Sequence, residues 1–81
     1  MNTREFTKEL AKRRGLNEPA AYFCINTVMD TIRQILAEGN EVQIGSFGKF
    51  TIITDISGNR IPTFVCGKAF RQAVTSEEGI F

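Results

Sequence analysis

Histidine and tryptophan are absent from this 81-residue sequence, and cysteine and proline occur twice each. Without histidine, Cys24 and Cys66 have no companions for a zinc set, and neither lies in a Cys-x-x-Cys pair. No metal or other cofactor is expected. Each cysteine reads as a small apolar residue, buried, in a reducing compartment. No acid–base constellation is present, neither cysteine has an activating neighbour, and the adjacent Glu77 and Glu78 read as a solvated pair in a terminal tail. An enzyme is therefore not expected. No apolar run approaches membrane-spanning length, and a chain charged from Arg4 onward does not open like a signal peptide. These absences lead to the expectation of a soluble, cytoplasmic domain.

What is present is aromatic and unevenly charged. Seven phenylalanines against one tyrosine are a heavy load for one small domain. A chain of this size buries only about 60% of its unfolded surface, so a core shared between subunits is a natural remedy. The formal net charge of +1 announces no nucleic-acid partner. Its distribution is more informative: residues 1–14 carry a net +3, residues 18–41 a net −3, and residues 49–71 again +3. Basic ends and an acidic middle make a two-faced molecule if the fold brings the ends together.

The chain is organised around Val42-Gln43-Ile44-Gly45-Ser46-Phe47-Gly48-Lys49-Phe50. Two runs suited to strands flank a Gly-Ser-Phe-Gly turn whose glycines permit a sharp bend and the close approach of another surface. Phe47 on that turn either folds back on its own core or plugs into a partner subunit. Upstream, Asn2 and Glu5 have capping-box spacing, Phe6, Leu10 and Ala11 mark one helical face, and Gly15 ends the helix. Lys12, Arg13 and Arg14 suit its C-terminal dipole, whereas Arg4, Lys8 and Lys12 form a solvated stripe. Asn17 and Pro19 start a second helix of about twenty residues. Its wide apolar face, Ala21, Ile25, Val28, Met29, Ile32, Ile35 and Leu36, needs a sheet or another subunit to cover it.

Three short strands follow, at 41–44, 49–56 and 60–65, and then a helix over 67–74 with Phe70, Ala73 and Val74 facing inward. A three-residue loop at Ser57-Gly58-Asn59 pairs Ile56 with Arg60 and Ile52 with Phe64, placing Phe50, Ile52 and Phe64 on one face. A two-residue loop would pair Phe64 with Ile53 instead. The first register is preferred. Lys68 at the start of the last helix is disfavoured by the dipole, but a cation beside free amides is also how phosphate is held. The expected fold class is α+β, with residues 1–74 as the domain and 75–81 as a loose tail.

Several pieces in this order resemble the bacterial HU and integration host factor family: Met1-Asn2, Ala11 to Leu16, Glu41-Val42-Gln43, Gly-x-Phe-Gly-x-Phe at 45–50, and Ile61-Pro62-Thr63-Phe64 leading into Gly67-Lys68-Ala69-Phe70. The resemblance implies an intertwined dimer whose shared core is filled by the phenylalanines at 47, 50 and 64. It also implies two long β-ribbon arms that reach around DNA in the minor groove and kink it with an apolar wedge. Here only residues 51–61 separate Phe50 from Pro62. Each limb of so short a hairpin spans about 17 Å. The arm, its basic residues and its wedge are missing.

The resemblance therefore implies a sequence-nonspecific DNA-binding body with weak binding and little bending. Its contacts with double-stranded DNA would be Asn2, Thr3, Arg4, Ser46, Gly48, Arg60, Lys68 and Arg71, which position the backbone and carry no sequence code. Ile44, Phe47, Phe50, Ile52 and Phe64 are the expected dimer interface, in a homodimer or in a heterodimer with an HU-type subunit. The alternative is an interaction or modulator module that keeps the dimer fold without binding DNA, pairing with or antagonising full-length HU-type subunits or serving as an adaptor in a phage or mobile element.

Overall fold

The computed structural model describes residues 1–76, and what was expected of Glu77 to Phe81 lies outside them. The element order is α1 (Thr3–Arg14), α2 (Glu18–Ala37), β1 (Val42–Ile44), β2 (Gly48–Thr54), β3 (Arg60–Cys66) and α3 (Lys68–Thr75). The chain divides into two compact units, Met1–Thr31 and the residues from Ile32 onward, with the boundary inside α2.

In the first unit the helix starts are those their side chains specify. The Asn2 side chain accepts the Glu5 amide at 2.9 Å and the Glu5 carboxylate accepts the Asn2 amide at 3.2 Å, completing a capping box. Gly15 stops α1 in the left-handed conformation (φ 66°). Asn17 accepts the Ala20 amide at 2.8 Å and starts α2. The buried positions here are Thr7, Ala11 and Ala21. Thr7 tolerates burial because its hydroxyl donates to the Thr3 carbonyl at 2.7 Å. Phe6, expected on the packed face, is half-exposed.

In the second unit the strands form an antiparallel sheet in the order β1-β2-β3. Phe50 pairs with Phe64, Ile52 with Pro62 and Thr54 with Arg60. This corrects the expected register by two residues and ends β2 at Thr54 rather than Ile56. The cause is the Asp55 side chain, whose Oδ1 accepts the amides of Ser57 at 2.8 Å and Asn59 at 2.9 Å. The Asp55 carbonyl accepts the Gly58 amide and its own amide donates to the Asn59 carbonyl, both at 3.0 Å. Asp55 thus organises a five-residue loop and draws Ile56 out of the strand. A shift of two preserves side-chain parity, so Phe50, Ile52 and Phe64 still share a face.

Two further expectations change. Cys24 and Cys66 are both exposed rather than buried. On α2, Leu36 is buried and Ile25, Ile32 and Ile35 half-buried, but Val28 and Met29 remain half-exposed, and so does Val74 on α3. Among the described residues no large side chain is fully buried. A single protomer therefore leaves this apolar surface uncovered.

Candidate nucleic-acid interface

Four of the expected contact residues meet at one end of the sheet. The Ser46–Gly48 turn is closed by the Phe47 amide donating to the Ile44 carbonyl at 2.9 Å. The Phe47 carbonyl in turn accepts the Gly67 amide at 2.8 Å, fastening the turn to the start of α3. Gly67 is required by space: a Cβ there would overlap the Ser46 carbonyl and lie 2.8 Å from the Phe47 carbonyl carbon. At Gly48 a Cβ would overlap the Phe64 ring and lie 2.6 Å from the Val65 carbonyl oxygen. Gly67 is the N-cap of α3 and supplies no side-chain cap, so the first amides of the helix open beside Lys68. Arg71, whose amide bonds to the Gly67 carbonyl at 2.9 Å, follows in the first turn. Both cations are exposed. An uncapped helix start with adjacent cations is chemically suited to a phosphate oxygen.

Arg60 lies at the opposite end of β3, six residues or about 20 Å from Cys66. It is not gathered with Ser46, Gly48, Lys68 and Arg71. Its guanidinium donates to the Leu36 carbonyl at the end of α2. Asn2, Thr3 and Arg4 belong to the first unit, all exposed at the start of α1. The capping box consumes the Asn2 and Glu5 amides and leaves those of Thr3 and Arg4 at the helix end.

The expected interface phenylalanines form a cluster. Phe50 and Phe64 lie 4.8 Å apart by ring centroid and Phe47 and Phe64 5.5 Å. Phe70 completes it, stacked on Phe47 at 4.6 Å with the planes 6° apart. Sequence reasoning turned Phe70 inward but left it out of the interface set. Its place three residues after Gly67, on the inner side of an amphipathic helix, was the available signal. Ile44 and Phe47 are each almost half exposed, Phe64 is 37% exposed, and Phe50 and Ile52 are half-buried.

The sheet also holds a polar cluster that sequence reasoning missed. The Thr51 hydroxyl donates to Glu41, whose Oε2 lies 3.6 Å from the Lys49 ammonium. The Thr51 hydrogen bond, then the Lys49 charge, holds the Glu41 carboxyl below its ordinary pKa. Lys49 is thereby committed to a carboxylate.

The chain belongs to the family of bacterial DNA-binding proteins: the family model of that description, "Bacterial DNA-binding protein", matches residues 1–55 and ends where β2 gives way to the hairpin loop. Among its relatives, DNA-binding protein HU-1 of Halalkalibacterium halodurans is 30% identical, over 91% of this chain and 99% of that protein. DNA-binding protein HU of Geobacillus stearothermophilus is 28% identical over the same shares. The structure is similar to that of an HU mutant from Thermotoga maritima, with a TM-score of 0.82 and 31% identity over 93% of this chain and 100% of the other. The fold is also that of the Anabaena HU in an HU–DNA cocrystal, at a TM-score of 0.80, 22% identity, and 94% and 99% coverage. The HU/IHF fold is thus the fold of this chain. The alignment with HU-1 runs over 89 positions but contains only about 74 residues of this chain (91% of 81), so that relative carries about 15 residues without a counterpart here.

Proposed function

We propose that this chain forms an armless DNA-binding body: a dimer that holds duplex DNA weakly, without sequence preference and with little bending, at the nucleoid in the cytoplasm. The observation that carries the reading is the union of the Ser46–Gly48 turn with the uncapped, cation-flanked start of α3. The family assignment and the Anabaena HU–DNA cocrystal support it. The limits on affinity and bending come from the hairpin. Seven-residue strands joined by a five-residue loop cannot wrap a duplex, and the residues that HU-1 has in excess are the natural material of an arm. Arg4, Lys68 and Arg71 from two protomers amount to a Z of about 6, hence a log–log salt slope near −5 from these groups alone.

The dimer is supported by the half-exposed phenylalanine cluster and the absence, among the described residues, of any fully buried large side chain. Ile44, Phe47, Phe50, Ile52 and Phe64 would meet a second copy or an HU-type subunit.

A second reading has its own observation. The far end of the hairpin presents Ile53 and Ile61, each about half exposed, and Ile56, fully exposed, around the carboxylate of Asp55. Arg60, the cation nearest in sequence, reaches back to α2. An apolar, anionic tip suits a protein surface better than a phosphate backbone. On this reading the chain keeps the dimer and modulates another protein, an HU-type subunit among the candidates.

Fluorescence anisotropy of a labelled duplex across several salt concentrations, with wild type and Lys68→Ala/Arg71→Ala, separates the two. Binding that weakens with salt and drops in the double variant is the expected result. A stable dimer that ignores DNA at low salt supports the modulator instead. Bending is read separately, from end-to-end energy transfer on the bound duplex.

A further inference from the structure

We propose that Lys8 and Lys12 extend the contact of Arg4 along α1, so that this helix meets the DNA backbone with a row of three cations. The inference rests on the DNA-binding reading and adds two residues to it.

The ion pairing within α1 motivates it. The helix carries five cations and two carboxylates, and both carboxylates are committed elsewhere. Glu5 accepts the Asn2 amide in the capping box. Glu9 accepts from Arg13, Nε to Oε1 at 2.7 Å, and that hydrogen bond, followed by the Arg13 charge and, least, the Lys12 charge, holds its carboxyl below the ordinary pKa. Arg4, Lys8 and Lys12 are exposed, and none forms an ion pair among the described residues. They lie at i, i+4 and i+8, where neighbouring like charges repel and disfavour the helix. Arg4 is further disfavoured by the positive end of the dipole. Lys12 gains from the C-terminal dipole and from the charge of Glu9, but Arg4 and Lys8 gain nothing within the helix from this arrangement. An external anionic row reverses the sign of the effect.

The spacing fits that partner. Four residues rise about 6 Å, so the row spans about 12 Å, the axial length over which one DNA strand presents three to four phosphates. Arg13, tied to Glu9, falls outside the row and serves as an internal control.

The test is the salt dependence of duplex binding. Each engaged row should lose about 1.8 from the magnitude of the log–log slope in Lys8→Ala/Lys12→Ala. Alanine is the best helix former, so the variant is expected to fold, as circular dichroism will report. Lys8→Arg/Lys12→Arg should retain the wild-type slope, and Glu9→Gln/Arg13→Gln should leave it unchanged. A wild-type slope in the double alanine variant, with Lys68→Ala/Arg71→Ala still reducing it, overturns the row and leaves the DNA-binding reading standing. Absence of any binding by the wild type at low salt overturns both.

Discussion

The Arg60 guanidinium donates from Nη2 to the Leu36 carbonyl oxygen at 3.3 Å, joining the first residue of β3 to the last turn of α2. That last turn contains no basic residue of its own. A residue 24 positions away therefore supplies the cation that a helix C-terminus favours. The bond also ties the base of α2 to the loop end of the hairpin.

Removing this tie should cost stability. Arg60→Ala is expected to lose about 0.5–1 kcal/mol, given an exposed side chain bonded to a helix-end carbonyl. The urea midpoint at fixed protein concentration measures it. An unchanged midpoint would show that the bond contributes nothing net.

Gly67→Ala should be far more damaging, although its φ of −77° suits any residue. The added methyl meets backbone atoms of Ser46 and Phe47, which cannot rotate away. Either the Gly67–Phe47 hydrogen bond breaks or the turn moves, at a cost of about 1–3 kcal/mol or more. Thermal unfolding should show the loss. Anisotropy should show weakened DNA binding even where the fold survives, because Ser46 and Lys68 separate. Gly58→Ala, open in space at φ 87°, is the contrast: it strains only its own loop, by about 1 kcal/mol.

Phe64 touches three rings of the cluster, with Phe70 at 6.1 Å the most distant. With the 37% of Phe64 still exposed here covered in a dimer, Phe64→Ala is expected to destabilise by about 3–5 kcal/mol, and by less in a monomer. If the cluster is shared between protomers, wild-type Tm rises with protein concentration and the variant sediments toward monomer. A wild type that sediments as a monomer at every concentration would remove the dimer from the proposed function.

Asp55 couples the hairpin loop to pH. The Asn59 amide foremost, with Asn59 Nδ2 and the Ser57 and Gly58 amides, holds its carboxyl below the ordinary 3.8 despite some opposing desolvation. A folded-state pKa below the unfolded one means that the contribution is complete above about pH 4 and is lost as pH falls through the lower folded value. Asp55→Asn should flatten part of the stability decline below about pH 4, measured by urea midpoints at successively lower pH. Glu9 and Glu41, also held low, contribute to the same decline. An identical acid profile in the variant would show that the loop is already open in acid.

Much of the architecture was legible because its signals are local. Asn2 with Glu5, Gly15 and Asn17 each act through hydrogen bonds or dihedral preferences within a few residues. The Gly45–Gly48 turn and the alternation around Phe50 and Phe64 likewise need no distant partner to be read. The failures have one physical origin. Asp55 looked like an ordinary strand residue because its effect depends on three amides converging on one carboxylate. Cys24 and Cys66 looked buried because small apolar residues usually are, and nothing local records whether a surface is covered. For the candidate site, the residue types at 46, 48, 68 and 71 were legible, but the separation of Arg60 from them was not.

By itself the sequence determined the helix limits, the turn glycines, which strand residues share a face, and the brevity of the hairpin, since these follow from backbone sterics, periodicity and chain length. Only the tertiary structure decided the strand register, the seating of Gly67 against Ser46, and which cations are spent internally. Arg60 on Leu36, Arg13 on Glu9 and Lys49 on Glu41 are committed; Arg4, Lys8 and Lys12 have no ion-pair partner among the described residues. Charge and residue type are written along the chain. Whether a charge has a partner depends on distances of a few ångströms, and for Arg60 and Lys49 folding alone brings the partner near.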